Sequence, residues 1–192
     1  MARKNLIRVN NYPYHVTIRT NNREWFNIPQ SVIWKIAISS IHIANYKYPV
    51  NIDAFVLMNN HYHLLLYTPD ANLDKFMNIL NSNISREIRR RTGRINRIFG
   101  DRYKWKIITS EQYYLTVIKY ILQNPLRALL VKKCEEYRYS TIFYQINNIA
   151  IGIRLPPSFI SDEFLAFINV PLENTKTLEL KKSLNQIGFS QV

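Results

Sequence analysis

Hydrophobic residues along this chain follow two periodicities, and the two kinds of run alternate. Four segments carry apolar and β-branched residues at every second position, which is typical of β-strands. Three longer segments place apolar residues three and four positions apart, which predicts amphipathic helices. The predicted strands cover residues 14–20, 52–58, 61–68 and 103–108, and the predicted helices lie between 27 and 49, from 73 to 92 and from 111 to 124.

Residues that start and stop helices lie at the ends of the helical runs. Asn27 can cap the first helix, because a short polar side chain satisfies the free backbone N–H groups of a first turn. Asn72 and Gly93 bound the second helix, with the glycine as a C-terminal stop. Ser110 can cap the third helix, which is expected to end before Pro125.

The order of these elements predicts the fold class. Residues 59–60 make a turn between the second and third strands, so these two strands form a hairpin. The series then reads β-α-β-β-α-β-α, and its first six elements match the ferredoxin-like (RRM-like) α+β fold: an antiparallel sheet with helices on one face. The third helix is an addition to that core. We predict a domain over residues 1–149 and an accessory C-terminal segment over 150–192, marked by residues 155–157 (Leu-Pro-Pro).

Composition narrows the class of partner. The 192 residues are 47% hydrophobic, enough for a core, and carry a formal net charge of +13 with a pI near 9.9. Such an excess of positive charge favours an anionic partner, above all nucleic acid. Cys134 is the only cysteine, which excludes a disulfide framework. Residues 32–44, the most apolar longer segment, are too short and too polar to span a bilayer, and no secretory signal is visible, so we expect no membrane partner and a cytoplasmic location.

Two histidines lie on one face of the third predicted strand. His61 and His63 are two positions apart, and side chains at that spacing project to the same side of a strand. Both imidazoles could therefore bind one divalent metal ion and leave open positions for oxygen ligands and substrate. The alternative is a pair of histidines that form hydrogen bonds within the sheet.

The third predicted helix carries a tyrosine away from its apolar stripe. Tyr120 projects to the other side, and Asn124, four residues later, lies beside it. A tyrosine there could act as a covalent nucleophile, and the amide oxygen of Asn124 could be a third metal ligand. The alternative is a half-exposed tyrosine that packs against a loop. The stripe itself consists of Tyr114, Ile118, Ile121 and Leu122.

Arginines are concentrated at the end of the second helix and in the loop that follows. Aromatic residues lie among them, a mixture that is typical of surfaces that bind phosphates and stack unpaired bases. Glu87 and Asp101 are the acidic residues nearby, so we expect a nucleic-acid-binding surface rather than a helix face covered by ion pairs. Its candidate residues are Arg86, Arg89, Arg90, Arg94, Arg97, Arg102, Tyr103 and Trp105.

Four segments together resemble one known family, the single-tyrosine HUH transposases. Residues 55–65 read FVLMNNHYHLL, which is similar to the family motif vlMPNHxHll. Residues 120–128 read YILQNPLRA, which resembles the YIxxNPvrA motif of the REP-associated tyrosine transposases, one branch of the family. Residues 14–23 (YHVTIRTNNR) and 137–141 (YRYST) resemble two further segments of that branch. The likeness is collinear from about residue 12 to residue 145.

The resemblance implies a role for each matching residue. His61, His63 and Asn124 would be the ligands of a Mg²⁺ or Mn²⁺ ion, and Tyr120 would be the catalytic nucleophile. The reaction would be cleavage and rejoining of single-stranded DNA through a 5′-phosphotyrosine intermediate, at hairpins formed by short palindromic repeats. The protein would then be a bacterial, nucleoid-associated DNA transposase. A homodimer with shared active sites, which occurs in a related branch, stays open beside a monomer.

Three positions depart from the family pattern, and two other functions remain open. Asn59 replaces a proline, Thr20 replaces a common glycine, and Tyr62 is larger than the valine usual between the histidines. The first alternative is a non-catalytic regulator that binds DNA or RNA hairpins on the same fold. The second is a phosphodiesterase for small cyclic phosphates, but the remaining histidines, His15 and His42, form no second histidine motif.

Overall fold

The computed structural model describes residues 5–153, 156, 160–185 and 188–189. Its strands form one sheet in the order β2-β3-β1-β4-β5, and the first four pair antiparallel while β5 pairs parallel to β4. The strands are β1 (Tyr14–Arg19), β2 (Asn51–Leu57), β3 (His61–Tyr67), β4 (Lys104–Ile107) and β5 (Gly188–Phe189). The helices are α1 (Gln30–Lys47), α2 (Leu73–Thr92), α3 (Glu111–Leu122), α4 (Asn124–Arg127), α5 (Thr141–Ile146), α6 (Asp162–Asn169) and α7 (Asn174–Asn185).

The predicted ferredoxin-like α+β fold is confirmed, and the α helices are divided between the two faces of its sheet. Helices α1 and α2 pack together on one face, over alternate strand residues such as Val16, Phe55 and Leu64. Helix α3 lies on the opposite face, where Val117 and Ile121 contact a second core that includes Val56 and Leu65. The added helix therefore covers the side of the sheet that the β-α-β-β-α-β unit leaves open.

Most element boundaries agree with the sequence, and the start of α1 does not. Helix α2 spans the predicted residues and ends at Gly93, whose φ of 66° is easily adopted only without a side chain. Ser110 caps α3 as predicted, since its hydroxyl accepts a hydrogen bond from the Tyr113 N–H at 3.3 Å. The prediction that Asn27 caps α1 is wrong: Asn27 has a φ of 59°, and Pro29 is the cap residue.

The chain after α5 packs against α3 on its side of the sheet. The Gln123 side chain, which is fully buried, donates to the carbonyl oxygens of Ile168 and Val170 and accepts from the Leu172 N–H at 3.1 Å. Of the predicted break at 155–157, only Pro156 lies within the described residues. The division at residue 150 stays a prediction. Within the described part of the chain, no helix is both long and apolar enough to cross a membrane.

Candidate active site

The register of β1 and β3 gathers polar residues on the α3 side of the sheet. His61 lies opposite Arg19 and His63 lies opposite Thr17, so these four side chains share one face. His15 is two positions before Thr17 on β1 and therefore projects to that face as well. The residues between them, such as Tyr62, project into the other core. The two-residue period of each strand thus places these polar side chains on the α3 side, next to the second core, and leaves the larger core on the other side.

Each of the paired histidines is held through its Nδ1 atom. His61 Nδ1 lies 2.8 Å from Asn60 Oδ1, and the Asn60 amide nitrogen donates to the Arg23 carbonyl oxygen at 2.7 Å. This second bond fixes the amide so that its oxygen accepts from His61, which leaves the His61 Nε2 lone pair available. His63 Nδ1 lies 2.9 Å from Nε2 of His15. When His63 is the donor in that pair, its own Nε2 is likewise available to a metal.

Burial keeps all three imidazoles neutral, which is the form that binds metals. Desolvation lowers the pKa of His15 to about 3 and that of His61 to about 4, where Arg19 lowers it further. Burial also lowers the pKa of His63 well below its ordinary value, and the neighbouring His15 and His61 act in the same direction. At neutral pH a metal cation therefore does not have to displace a proton from these imidazole nitrogens.

Tyr120 lies against the histidines and is itself buried. The centre of its ring is 5.8 Å from that of His63 and 5.9 Å from that of His15. Only 4% of the residue is exposed, so the interpretation of Tyr120 as a residue on a polar, open side of its helix is wrong. It belongs to the second core, on the α3 side of the sheet, which also contains residues of β2 and Ile168. Burial raises the pKa of the phenol, and the nearby charges of Arg127 and Arg19 lower it.

The motif that follows Tyr120 folds back onto it. Asn124 Nδ2 donates to the carbonyl oxygens of Tyr120 and Ile121 at 3.0 and 3.1 Å, so the amide oxygen is the atom left for another partner. Arg127 donates to the Tyr120 carbonyl at 3.0 Å, and its guanidinium lies 4.2 Å from the centre of the Tyr120 ring. A cation at that distance interacts favourably with the π face of the ring. The short helix α4 thus holds an amide and a cation beside the phenol.

A cleft of about 930 Å³ joins these groups. His61, His63, Tyr120 and Asn124 all line it. Asp101 is the one acidic residue among the described lining residues, whereas six basic residues surround the cleft. A strand of phosphates would lower the repulsion between these charges. The basic residues are Arg19, Arg23, Arg102, Lys104, Arg127 and Lys181.

The donor set fits a divalent cation with open coordination positions. His61 and His63 supply neutral nitrogens, and Asn124 supplies an amide oxygen, a set compatible with Mg²⁺ or Mn²⁺ when substrate oxygens or water complete the shell. His15 is not a further ligand, because its Nε2 is directed at His63. Across the described residues, no group of three or more histidine, cysteine or acidic side chains is arranged to hold a metal. Any bound ion would therefore depend on oxygen atoms from outside those residue types.

The predicted arginine surface divides into two groups. Arg89, Arg97 and Arg102 line a groove of about 450 Å³ along α2, and Arg102 also lines the cleft, so the two depressions adjoin. In the other group, the expectation that ion pairs are scarce is wrong for Arg90 and Arg94, which pair with carboxylates, whereas Arg86 donates a hydrogen bond to a neutral amide. The partners are Asn83 for Arg86 at 2.5 Å, Glu87 for Arg90 at 3.1 Å, and Glu24 for Arg94.

The two aromatic residues predicted to contact DNA are both buried. Trp105 is 2% exposed and packs edge-on against Tyr14 in the core beneath α1 and α2. Tyr103 is 6% exposed, and the Arg102 guanidinium lies 5.2 Å from the centre of its ring. Neither ring offers an open face to a base, so the prediction that these residues stack DNA bases is wrong. Strand alternation explains it, since Trp105 shares a face with the core residue Ile107.

Three residues of the site received no role from the sequence. His15 was set aside because it forms no motif with another histidine, yet it is the side chain that contacts His63. The alternation of the strand places His15 on the same face as Thr17, and this pattern could have indicated that His15 belongs to the site. Arg19 and Arg127 lie in segments that resemble the family, but sequence alone does not show that they approach Tyr120.

Comparisons with known proteins identify a family and support the fold. The sequence profile of the IS200-like transposase family matches residues 8–124. One solved structure, a REP-associated tyrosine transposase bound to a REP hairpin, is similar in fold, with a TM-score of 0.64 and 18% identity over 84% of this chain and 94% of that one. A candidate transposase from Deinococcus radiodurans R1 is 17% identical, with a TM-score of 0.42 over 63% of this chain and 94% of that one. Among curated proteins, none matches.

Proposed function

The chain belongs to the IS200-like transposase family, and from that premise we propose that it is a metal-dependent transposase that cleaves and rejoins single-stranded DNA through a 5′-phosphotyrosine intermediate. The observation that carries the proposal is the position of the Tyr120 ring, within 6 Å of the His15 and His63 rings and inside a basic cleft. A buried phenol beside neutral imidazoles is an expensive arrangement for packing alone, because it surrounds polar groups with little water.

The chemistry begins with a strand whose phosphates lie among the arginines and lysines of the cleft. Tyr120 Oη attacks the scissile phosphorus, a bond forms between that oxygen and the 5′-phosphate, and the 3′-oxygen leaves and takes up a proton. Because each step exchanges one phosphodiester for another, the intermediate conserves the bond energy and no nucleotide cofactor is required. Attack by a free 3′-hydroxyl on the phosphotyrosine reverses the step and rejoins a strand.

The surrounding residues prepare the phenol for attack. Burial raises its pKa, so Tyr120 is protonated before the reaction, and it must lose a proton as the new bond forms. Arg127 and Arg19 lower the pKa and therefore favour the negative charge that develops on the phenolic oxygen. His61, His63 and Asn124 would hold a Mg²⁺ or Mn²⁺ ion, whose chemistry when bound is polarisation of a phosphoryl oxygen. Asn60 and His15 keep the two histidines in the orientation that this requires.

The substrate proposed for this chain is hairpin DNA with an adjoining single strand. The REP-associated tyrosine transposase of similar fold was solved with a REP hairpin, and residues 120–128 resemble the motif of that branch. The groove lined by Arg89, Arg97 and Arg102 adjoins the cleft, so a duplex stem and a flanking strand could be bound together. Such a protein would act in the cytoplasm at the nucleoid, as a monomer or a homodimer.

A denaturing gel separates this proposal from a non-catalytic hairpin-binding protein. Single-stranded DNA labelled at its 3′ end is incubated with the protein and Mn²⁺, boiled in detergent and resolved. Only the enzyme yields a labelled band, which migrates above the free protein. Tyr120→Phe should abolish that band and leave DNA affinity, measured by a filter assay, within a fewfold of wild type. Tyr113→Phe, the same change on the same helix but outside the cleft, is the matched control and should retain the band. Equal loss of capture and binding in Tyr120→Phe would contradict the nucleophile role.

A further inference from the structure

One tryptophan is exposed beside the cleft, and the other two are in the core. Trp25 is 65% exposed, whereas Trp34 and Trp105 are 5% and 2% exposed. It lies in the loop between β1 and α1, two residues after Arg23, which lines the cleft. An exposed indole is costly in contact with water, so its position next to a basic cleft needs an explanation.

The loop that carries Trp25 is fixed from several directions. The Asn21 N–H donates to the Ile98 carbonyl at 2.8 Å, and Asn60, the partner of His61, donates to the Arg23 carbonyl at 2.7 Å. Glu24 forms an ion pair with Arg94, whose side chain is 12% exposed. The indole is thus presented by a backbone whose neighbours are held by β3, by the end of α2 and by the loop before β4.

The residue after Trp25 anchors the loop, and the backbone on both sides is strained. Phe26 is buried and packs edge-on against Phe99, at 6.5 Å between ring centres. Asn22, Arg23 and Asn27 have φ values of 53°, 59° and 59°. Left-handed backbone at residues other than glycine persists only where surrounding contacts impose it, and such positions concentrate at functional sites. Because asparagine adopts this backbone readily, the strain is greatest at Arg23, which lines the cleft.

A second pocket, of about 440 Å³, opens at the indole. Apart from Trp25, its walls include the apolar side chains of Ile28 and Pro29 and the amides of Asn27, Gln30 and Asn59. Asn59 is in the turn just before Asn60 and His61, so the pocket borders the β2–β3 hairpin that carries His61 and His63. A flat aromatic wall with amide groups at its edge suits a nucleobase, since side-chain amides pair with the donors and acceptors of base edges.

We propose that this pocket binds one unpaired base of the DNA strand whose phosphates occupy the cleft, with the base stacked on the Trp25 indole. That the bound strand is DNA rests on the proposed function. That the strand reaches the pocket rests on the loop, which runs from the cleft to the pocket. Arg23 lines the cleft and Trp25 lines the pocket, and the two residues are only two positions apart. One nucleotide could therefore place its phosphate on Arg23 and its base on Trp25. The indole takes the stacking role that Trp105 and Tyr103 cannot perform.

Two probes of equal charge test the assignment: a thymidine 20-mer and a 20-mer of abasic deoxyribose phosphate. Binding is measured without metal on the Tyr120→Phe background, where no cleavage occurs. Adding Trp25→Ala should weaken binding of the thymidine 20-mer about ten- to hundredfold and should change binding of the abasic strand less than twofold. Trp25→Phe, which keeps an aromatic face, should recover most of the affinity. Tyr46→Ala, at a 91% exposed aromatic residue of α1, is the matched control and should behave as the parent.

The possible results distinguish this assignment from others. Equal weakening on both probes, or no weakening on either, would overturn it. A change in the sedimentation mass of the DNA-free protein on Trp25→Ala would also overturn it, because the indole would then cover another protein chain. If wild-type protein forms the covalent adduct while Trp25→Ala binds normally, the base pocket fails and the transposase function stands. If no adduct forms while the base-dependent loss is observed, the pocket stands and the catalytic proposal fails.

Discussion

Toward α1 and α2, the strands β1 and β3 direct mostly hydrophobic side chains, whereas toward α3 they direct histidine, threonine and arginine together with Leu65. Val16 and Leu64 on the first face are fully buried in the larger core. His15 and His63 on the second face are almost as deeply buried, yet they are polar, and His15 Nδ1 has no hydrogen-bond partner among the described residues. One face contributes to the free energy of folding, and the other accepts a desolvation penalty for its imidazoles. The same strands thus separate stability from chemistry by their two-residue period.

The largest effect should come from removing a ring on the apolar face. Phe55 stacks on Trp34 at 5.4 Å between ring centres and also packs against Tyr62. Phe55→Ala should lower the free energy of unfolding by about 3–5 kcal/mol, since it removes buried contacts and leaves a cavity. Thermal denaturation should show a fall of about 6–20 °C in Tm. Covalent capture at a temperature where the variant is folded should be unchanged per folded molecule, and a specific loss of capture would contradict the separation of the faces.

Arg127→Ala should give the next largest effect, and its main effect should be on the chemical step. Without the guanidinium beside the ring, the pKa of Tyr120 rises further, and the negative charge on the phenolic oxygen loses its partner. The rate of covalent capture should fall about 10²–10³-fold, and the remaining rate should keep increasing up to a higher pH than in wild type. Arg127→Lys should recover part of the rate because it keeps the charge without the planar fork. A stability change as large as that of Phe55→Ala would count against a chemical role.

Asp53 tests whether burial of polar side chains on the α3 side of the sheet lowers the free energy of unfolding. Desolvation raises its pKa to about 6, although the Tyr114 hydroxyl donates to it at 3.0 Å. Because the folded-state pKa lies above the unfolded value, wild-type protein should lose stability as pH rises from about 4 to 6 and then remain level. Asp53→Asn should lack that loss and gain roughly 2–3 kcal/mol relative to wild type at pH 7. Chemical denaturation at pH 4 and pH 7 measures the difference, and a gain equal at both values would refute the assignment.

The smallest predicted effect is at His15, whose proposed role is to position His63. His15→Phe removes the hydrogen-bond partner of His63 Nδ1 and keeps an aromatic ring of similar size. We expect the affinity for Mn²⁺, measured by electron paramagnetic resonance of the free ion, to fall about 10–100-fold. Stability should stay the same or increase, since a buried polar ring is removed. His42→Phe, at an exposed histidine on α1, is the control and should leave the affinity unchanged. An unchanged affinity in His15→Phe would exclude the positioning role.

The sequence predicted what local patterns determine and missed what depends on distant contacts. The ends of α2 were predictable because Gly93 permits a left-handed residue that stops a helix. The face shared by His61 and His63 follows from strand geometry alone. The burial of Tyr120 was not predictable from a helical projection, because it depends on residues distant in the chain, such as His15 and His63, whose ring centres lie within 6 Å of its own. The ion pair of Arg94 with Glu24 joins residues 70 apart, which no local pattern reveals.

A comparison of the exposed Trp25 with the buried Trp105 shows again that burial is hard to predict from the sequence. Both residues lie near basic side chains in the sequence, and nearness alone favoured Trp105 as a DNA contact. Its strand alternation with Lys104 and Lys106, read strictly, places the indole on the face opposite the lysines and so in the core. Trp25 is in a loop whose strained conformation depends on contacts from three other parts of the fold.

The central claim is that Tyr120, among the 13 tyrosines of the chain, is the one that reacts with DNA. The most direct measurement is mass spectrometry of the peptide–DNA product, after wild-type protein is incubated with single-stranded DNA and Mn²⁺ and then digested with protease and nuclease. The account predicts a 5′-phosphonucleotide on the peptide that contains Tyr120, with a free 3′-hydroxyl on the other cleavage product. A modification on any other residue, or a 3′-phosphate linkage, would contradict it.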